Sequence, residues 1–183
     1  KAFEAGRTQE AKRQFEAALK LNPRGLEEQK VRFYLARINI DTDAGKASDT
    51  LLLLAQQVED PKLKRQAQLY GGLAAGQAHR CMTVQKIIVP LLEQLDASEK
   101  GHGALAVAQC LSEQESLKFL AIALETLPDS EEAKTKAKTA SAGLSQDDLT
   151  EAARTYAQTP IGVFLFRRIA RGARETGDRK ALE

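Results

Sequence analysis

The 183-residue chain sets 27 Lys and Arg against 25 Asp and Glu, a net charge of +2, so no overall basic field points to nucleic acid. A hydrophobic content of 43% with 28% charged residues is that of a globular protein and excludes disorder, while no apolar run approaches the ~20 residues that span a bilayer. Aromatic residues make up only 5%, with no Trp, which leaves alanine and leucine to pack the interior.

In chain order, helical periodicity covers residues 1–5, 8–21, 26–41, 45–58, 62–79, 83–96, 98–111, 114–126, 131–142, 146–157 and 160–176, and a last segment opens near 179. No stretch sustains an apolar/polar alternation, so the expected fold class is all-α. Helices end at Asn22-Pro23, Asp60-Pro61, Pro128-Asp129 and Gly177-Asp178. The connections are short, and successive helices are therefore expected to pack antiparallel, as hairpins. Lys1 stands inside a helical pattern with neither a start signal nor a signal peptide, so the chain reads as a piece of a longer protein.

Segment 8–21 carries a repeat signature. Gly6 ends the helix before it; Ala11, Phe15 and Ala18 follow at spacings of four and three, and Pro23 stops it. The small residues let a neighbouring helix come close, and Phe15 fills the wedge between hairpins. This spacing resembles the second half of a tetratricopeptide repeat. Ala47, Leu51 and Leu54 repeat it after 36 residues, Val84, Ile88 and Leu91 after another 37, and Ser116, Leu120, Ala123 and Pro128 after another 32. The architecture implied is a right-handed α-α superhelix, a tetratricopeptide-like solenoid of about five helix pairs at roughly 34 to 40 residues each. Residues 1–128 form its degenerate repeats; residues 129–183 add helical repeats of the same solenoid, the last one truncated.

Within the repeats, Leu51 to Ala55 reads as a buried turn or two of helix. Gly71-Gly72 marks a tight helix crossing in place of side chains. Pro90 removes an amide and crowds the carbonyl of Lys86, and because the apolar stripe continues to Leu95 a kink is expected and not a break. Beyond Pro128, Glu131–Lys134 and Glu132–Lys136 stand at helical pair spacing, and Ser145 with Asp148 resembles a capping box. Thr159-Pro160 opens a helix with proline at an early position, and Ile161, Phe164, Leu165, Ile169 and Ala173 form its buried stripe.

Catalytic and metal chemistry find no support in the sequence. His79 and His102 are too far apart to share a metal, and no HExxH, Gly-x-Ser-x-Gly, phosphate loop or Gly-x-Gly-x-x-Gly occurs. No cofactor and no enzymatic activity are expected. Cys81 and Cys110 form no CxxC motif; a disulfide between them is conceivable, but two separate buried thiols are the preferred reading.

Two surfaces are candidates for binding. In a solenoid the first helices of the pairs line a curved inner face, and Arg32, Asn39, Gln66, Gln77 and Gln109 are expected to stand on it. That face is amide-rich, and it lacks the Lys, Asn and Arg clamp with which chaperone-binding tetratricopeptide domains grip a terminal carboxylate. The second is a run of arginines, Arg167, Arg168, Arg171 and Arg174, of which Arg167, Arg171 and Arg174 stack along one face of a helix. An anionic partner is one reading. The other is a solvated face whose last-turn cations favour the helix dipole, with Glu175 and Asp178 diluting the charge. Nucleic acid is not expected, because no aromatic residues interleave with the arginines, and Phe164 or Phe166 belongs to the core.

The C-terminal half is the most specific stretch. A capped short helix at Ser145 to Leu149, Tyr156, Thr159-Pro160-Ile161-Gly162, then Arg168-Ile169-Ala170 and Gly177-Asp178, follow in that order. Together with Ile88 to Leu95 and its Pro-Leu-Leu, this resembles the amino-terminal tetratricopeptide-like region of bacterial penicillin-binding-protein activators, outer-membrane lipoproteins that stimulate peptidoglycan synthases. The resemblance covers nearly the whole chain. It implies a non-catalytic scaffold on the periplasmic side of the outer membrane, with a protein partner such as a peptidoglycan synthase, and with membrane attachment only through a lipid anchor outside this chain. Without the resemblance, the repeats read as a cytoplasmic adaptor that binds a peptide or helix of a partner protein.

Overall fold

The structure, a computed structural model, describes residues 7–176. Among them the regular elements are all helical: α1 (Thr8–Lys20), α2 (Leu26–Ile38), α3 (Ala44–Gln57), α4 (Pro61–Gln77), α5 (Cys81–Ile88), a 3-10 turn (Val89–Gln94), α6 (Ala97–Gln109), α7 (Glu113–Thr126), α8 (Glu131–Gly143), α9 (Gln146–Thr155) and α10 (Pro160–Thr176). The helices expected at 1–5 and near 179, and the Gly177-Asp178 stop, lie outside the described residues. Side-chain caps set several of the starts: Asp43, Asp60, Asp96, Ser130 and Ser145 each accept the amide three residues on. At Ser145 the reciprocal arm differs from a standard capping box, since the Asp148 carboxylate accepts from the Ser145 hydroxyl at 2.6 Å.

The described residues form two compact units, divided between Leu91 and Leu92. The division falls in the 3-10 turn, upstream of the change in repeat spacing at Pro128, because α7 packs on α6 before that change and on α8, α9 and α10 after it. Pro90 produces the turn. With its amide missing, α5 ends at Ile88, and the chain continues without a break as tighter 3-10 helix through Gln94, where a kinked α-helix was expected.

In the first unit, α1 packs on α2, α2 on α3, α3 on α4 and α4 on α5, and α2 also touches α4. Phe33, Ala36, Leu51, Leu54, Ala55, Val58, Leu63 and Ala67 form a common core, flanked by Tyr34 and Tyr70. Gly71 and Gly72 meet two different neighbours: a Cβ on Gly71 would lie 2.8 Å from the Leu52 side chain of α3, and one on Gly72 2.5 Å from Ile88 of α5. This is the close crossing expected from the sequence. The buried Ser48 hydroxyl donates to the Gly71 carbonyl at 2.8 Å, so α3 is pinned to α4 at the same point.

The repeat register is buried almost throughout. Ala11, Ala47, Leu51, Leu54, Val84, Ile88, Leu91, Ser116, Leu120 and Ala123 are buried; Phe15 and Ala18 are half-buried. Phe15 is thus not a core anchor. It stacks on Tyr34 with ring centroids 5.2 Å apart, at the margin of the first pair. Within Leu51 to Ala55, Leu53 faces outward and is 55% exposed.

In the second unit the hairpin order is interrupted at one step, between α8 and α9. α6 and α7 pack closely, with Gly101 pressed against Thr126 and Leu127. α8 and α9, although joined by two residues, make little contact; α10 packs instead against α7, α8 and α9. Of the two ion pairs expected on α8, Glu131–Lys134 forms at 2.8 Å. Glu132 does not meet Lys136 and accepts a hydrogen bond from Gln109 at the end of α6 at 2.6 Å instead.

Cys81 opens α5 and Cys110 caps the end of α6. Both are disulfide-bonded, which overturns the expectation of two separate thiols. Positions near helix ends bring sulfurs to places that a one-dimensional reading of helix faces does not register.

Candidate functional site

A concavity that involves two of the expected site residues lies between α8 and α10. Its position follows from the turn before α10. Thr159 donates its hydroxyl to the Tyr156 carbonyl at 2.9 Å, and Pro160 opens the helix where no amide partner is needed. Gly162 comes next, and a Cβ there would sit 2.5 Å from the Tyr156 carbonyl oxygen and 3.2 Å from that of Ala157. Only glycine lets α10 leave α9 this closely. Ile161 and Leu165 are fully buried, and this orients α10 so that its arginines stand away from the core.

The cleft has a volume of about 410 Å³ and is lined by Lys138, Thr139, Ser141 and Ala142 of α8 and by Phe164, Arg167, Arg168 and Arg171 of α10. Among the described residues, four cations line it and no carboxylate does. Arg167 and Arg171 are exposed, Arg168 and Phe164 half-buried. None of the four cations makes a salt bridge among the described residues. The two hydroxyls are already engaged as donors, Thr139 to the Thr135 carbonyl at 3.1 Å and Ser141 to the Lys138 carbonyl at 2.9 Å. Any hydrogen bonds offered to a ligand therefore come from the guanidinium and ammonium groups.

Of the arginines singled out from the sequence, Arg167 and Arg171 line the cleft together, and Arg174 stands outside it on the next turn. Arg168, named in the run but left off its stacked face, and Lys138, which was not singled out, complete it. Arg168 lies one helical turn before Arg171 and could have been included on spacing alone. Lys138 had no such signal, since its helix reaches α10 only through tertiary packing. Phe166 is 48% exposed and Phe164 half-buried, so neither phenylalanine is a full member of the core.

The residues expected on an inner solenoid face are dispersed among local contacts. Arg32 is exposed and paired with Glu28 at 2.7 Å, in a shallow depression with Gly25, Gln29 and Gln57. Asn39 closes α2 and accepts from the Lys12 ammonium at 3.0 Å, in a separate depression with Thr42, Asp43 and Lys46. Gln66 is half-buried and Gln77 exposed on α4, and neither lines those two depressions. Gln109 belongs to the second unit and bonds to Glu132.

Among the described residues, no three His, Cys, Asp or Glu side chains cluster closely enough to hold a metal ion, and no helix is long and apolar enough to cross a membrane. Compared with known proteins, the chain matches no family model, no curated protein and no solved structure.

Proposed function

We propose that this chain is a non-catalytic interaction module: a tetratricopeptide-like α-α superhelix of the kind found in penicillin-binding-protein activators, working on the periplasmic side of the outer membrane and contacting a peptidoglycan synthase. The observation that carries the repeat reading is the burial of one small-and-apolar register at near-constant spacing, from Ala11 through Ala47, Val84 and Ser116. Each such residue lets two helices approach, and successive pairs can then nest and leave polar helix faces free for a partner. The first unit, with each helix on the next and α2 touching α4, supports that arrangement.

The compartment rests on the cysteines. Both are disulfide-bonded. Disulfides persist in oxidising compartments such as the bacterial periplasm and are rare in the cytosol. This supports the envelope reading over the cytoplasmic adaptor.

The test is capture from two extracts. The immobilised chain is incubated with envelope and with cytosolic extract, and retained penicillin-binding proteins are revealed with a fluorescent β-lactam. Retention of a labelled synthase from the envelope extract is the expected result. Specific retention of cytosolic proteins alone, with no labelled synthase, would contradict the proposal.

A further inference from the structure

We infer that the cleft between α8 and α10 binds a phosphate or diphosphate group. This goes beyond the interaction role proposed above and stands without it. The argument starts from charge. Lys138, Arg167, Arg168 and Arg171 converge from two helices on one concavity, and among the described residues no Asp or Glu lines it and none of the four cations has a salt-bridge partner. Arg167–Arg171 and Arg168–Arg171 stand at helical pair spacings, where like charges repel. A solvated arginine face would spread its cations over the convex side of α10. Here three of them line a hollow whose other wall brings a fourth.

The donor set selects the anion. Guanidinium groups offer planar pairs of N–H donors that match phosphate oxygens two at a time, and the lysine adds a point charge. Three guanidinium groups binding through two N–H donors each, with one ammonium, exceed the roughly four lone-pair sites of a single carboxylate; the oxygens of a phosphate or diphosphate can engage all four cations. Engaged hydroxyls on Thr139 and Ser141 leave the cleft without further donors, so recognition is by charge and fork geometry. The volume of about 410 Å³ admits a small anionic group. Half-buried Phe164 lines the same cleft and lowers the local polarity, which strengthens the attraction to an anion.

The probe is inorganic pyrophosphate, titrated into the 183-residue chain at physiological ionic strength and followed by calorimetry. Saturable binding is expected, weakened by about tenfold or more in Arg171→Gln and in Lys138→Gln, one variant from each wall. Arg174→Gln, outside the cleft, is expected to bind within about twofold of the parent chain. Helical circular dichroism checks folding, and if one wall variant fails to fold the other decides. Vesicles of phosphatidylcholine with and without phosphatidylglycerol separate the sources. Sedimentation with the anionic vesicles that pyrophosphate displaces assigns a lipid headgroup, whereas pyrophosphate binding without vesicle retention assigns a soluble phosphate-bearing ligand; both support the inference. Absence of saturable pyrophosphate binding overturns it, as does an equal loss in Arg174→Gln.

Discussion

At the scale of single residues, two backbone positions have consequences opposite to ordinary helix propensity. Gly162 lies inside α10, where alanine is normally favoured by about 1 kcal/mol. The Cβ of alanine would meet the Tyr156 carbonyl oxygen at 2.5 Å, and a backbone atom cannot swing aside. Gly162→Ala is therefore expected to destabilise the protein by about 1–3 kcal/mol in denaturant unfolding, and a neutral or stabilising change would show that the α9–α10 turn is looser than described. His79 is the converse case. It holds φ +57° between α4 and α5, with its amide bonded to the Gly76 carbonyl and that of Arg80 to Ala75, the two bonds of a Schellman cap. Left-handed backbone is costly for a residue with a Cβ, so His79→Gly is expected to raise stability by about 0.5–1 kcal/mol. A drop in melting temperature would mean that the imidazole makes a contact of its own. The histidine itself was visible in the sequence; its role as a helix stop was not, because that place is usually glycine.

At the scale of elements, helix positions were legible because Asp, Ser, Pro and short apolar repeats mark them locally. Each described helix lies within a few residues of the segment expected from periodicity, except α5, which ends at Ile88 and gives way to the 3-10 turn. What was not legible depends on partners across the fold. Pro90 could be seen to disturb its helix, but whether the result is a kink or a 3-10 turn depends on how Leu91 and Leu92 reach buried sites. Glu132 was expected to pair with Lys136 on its own helix, but it accepts from Gln109 at the end of α6, a partner that helical spacing does not reveal. The Glu131–Lys134 pair, by contrast, is local and testable by pH. The hydrogen bond and charge of Lys134 hold the Glu131 carboxyl below its ordinary value, so the pair's contribution is complete above the unfolded-state value and is lost as pH falls through the folded-state value. Lys134 is raised, chiefly by the same hydrogen bond, and its contribution is lost only as pH rises through its own folded-state value. Carboxyl NMR titration is expected to show Glu131 moving up towards the ordinary value in Lys134→Ala. An unchanged titration would mean that the exposed pair is not populated in solution.

At the scale of the whole molecule, alanine and leucine spacing was enough to find the all-helical class and the buried register, since both follow from helix periodicity. The packing of α10 on three helices was not, because the short α8–α9 connection suggested another hairpin and nothing local announces the exception. The arginine run was read, but the wall supplied by Lys138 was out of reach of spacing. The cysteine state also follows from the fold and has a direct check. Protein isolated from an oxidising compartment is expected to take up no maleimide before reduction and two per chain after it, one for each cysteine. Labelling without reductant would remove the support for the envelope. The central claim, that polar faces left free by nested helix pairs dock a protein, is tested most directly by hydrogen–deuterium exchange of the chain with and without the captured synthase. Slowed exchange is expected in α2, α4 and α6, around Arg32, Gln66, Gln77 and Gln109. Synthase binding that leaves these helices unchanged would contradict the claim.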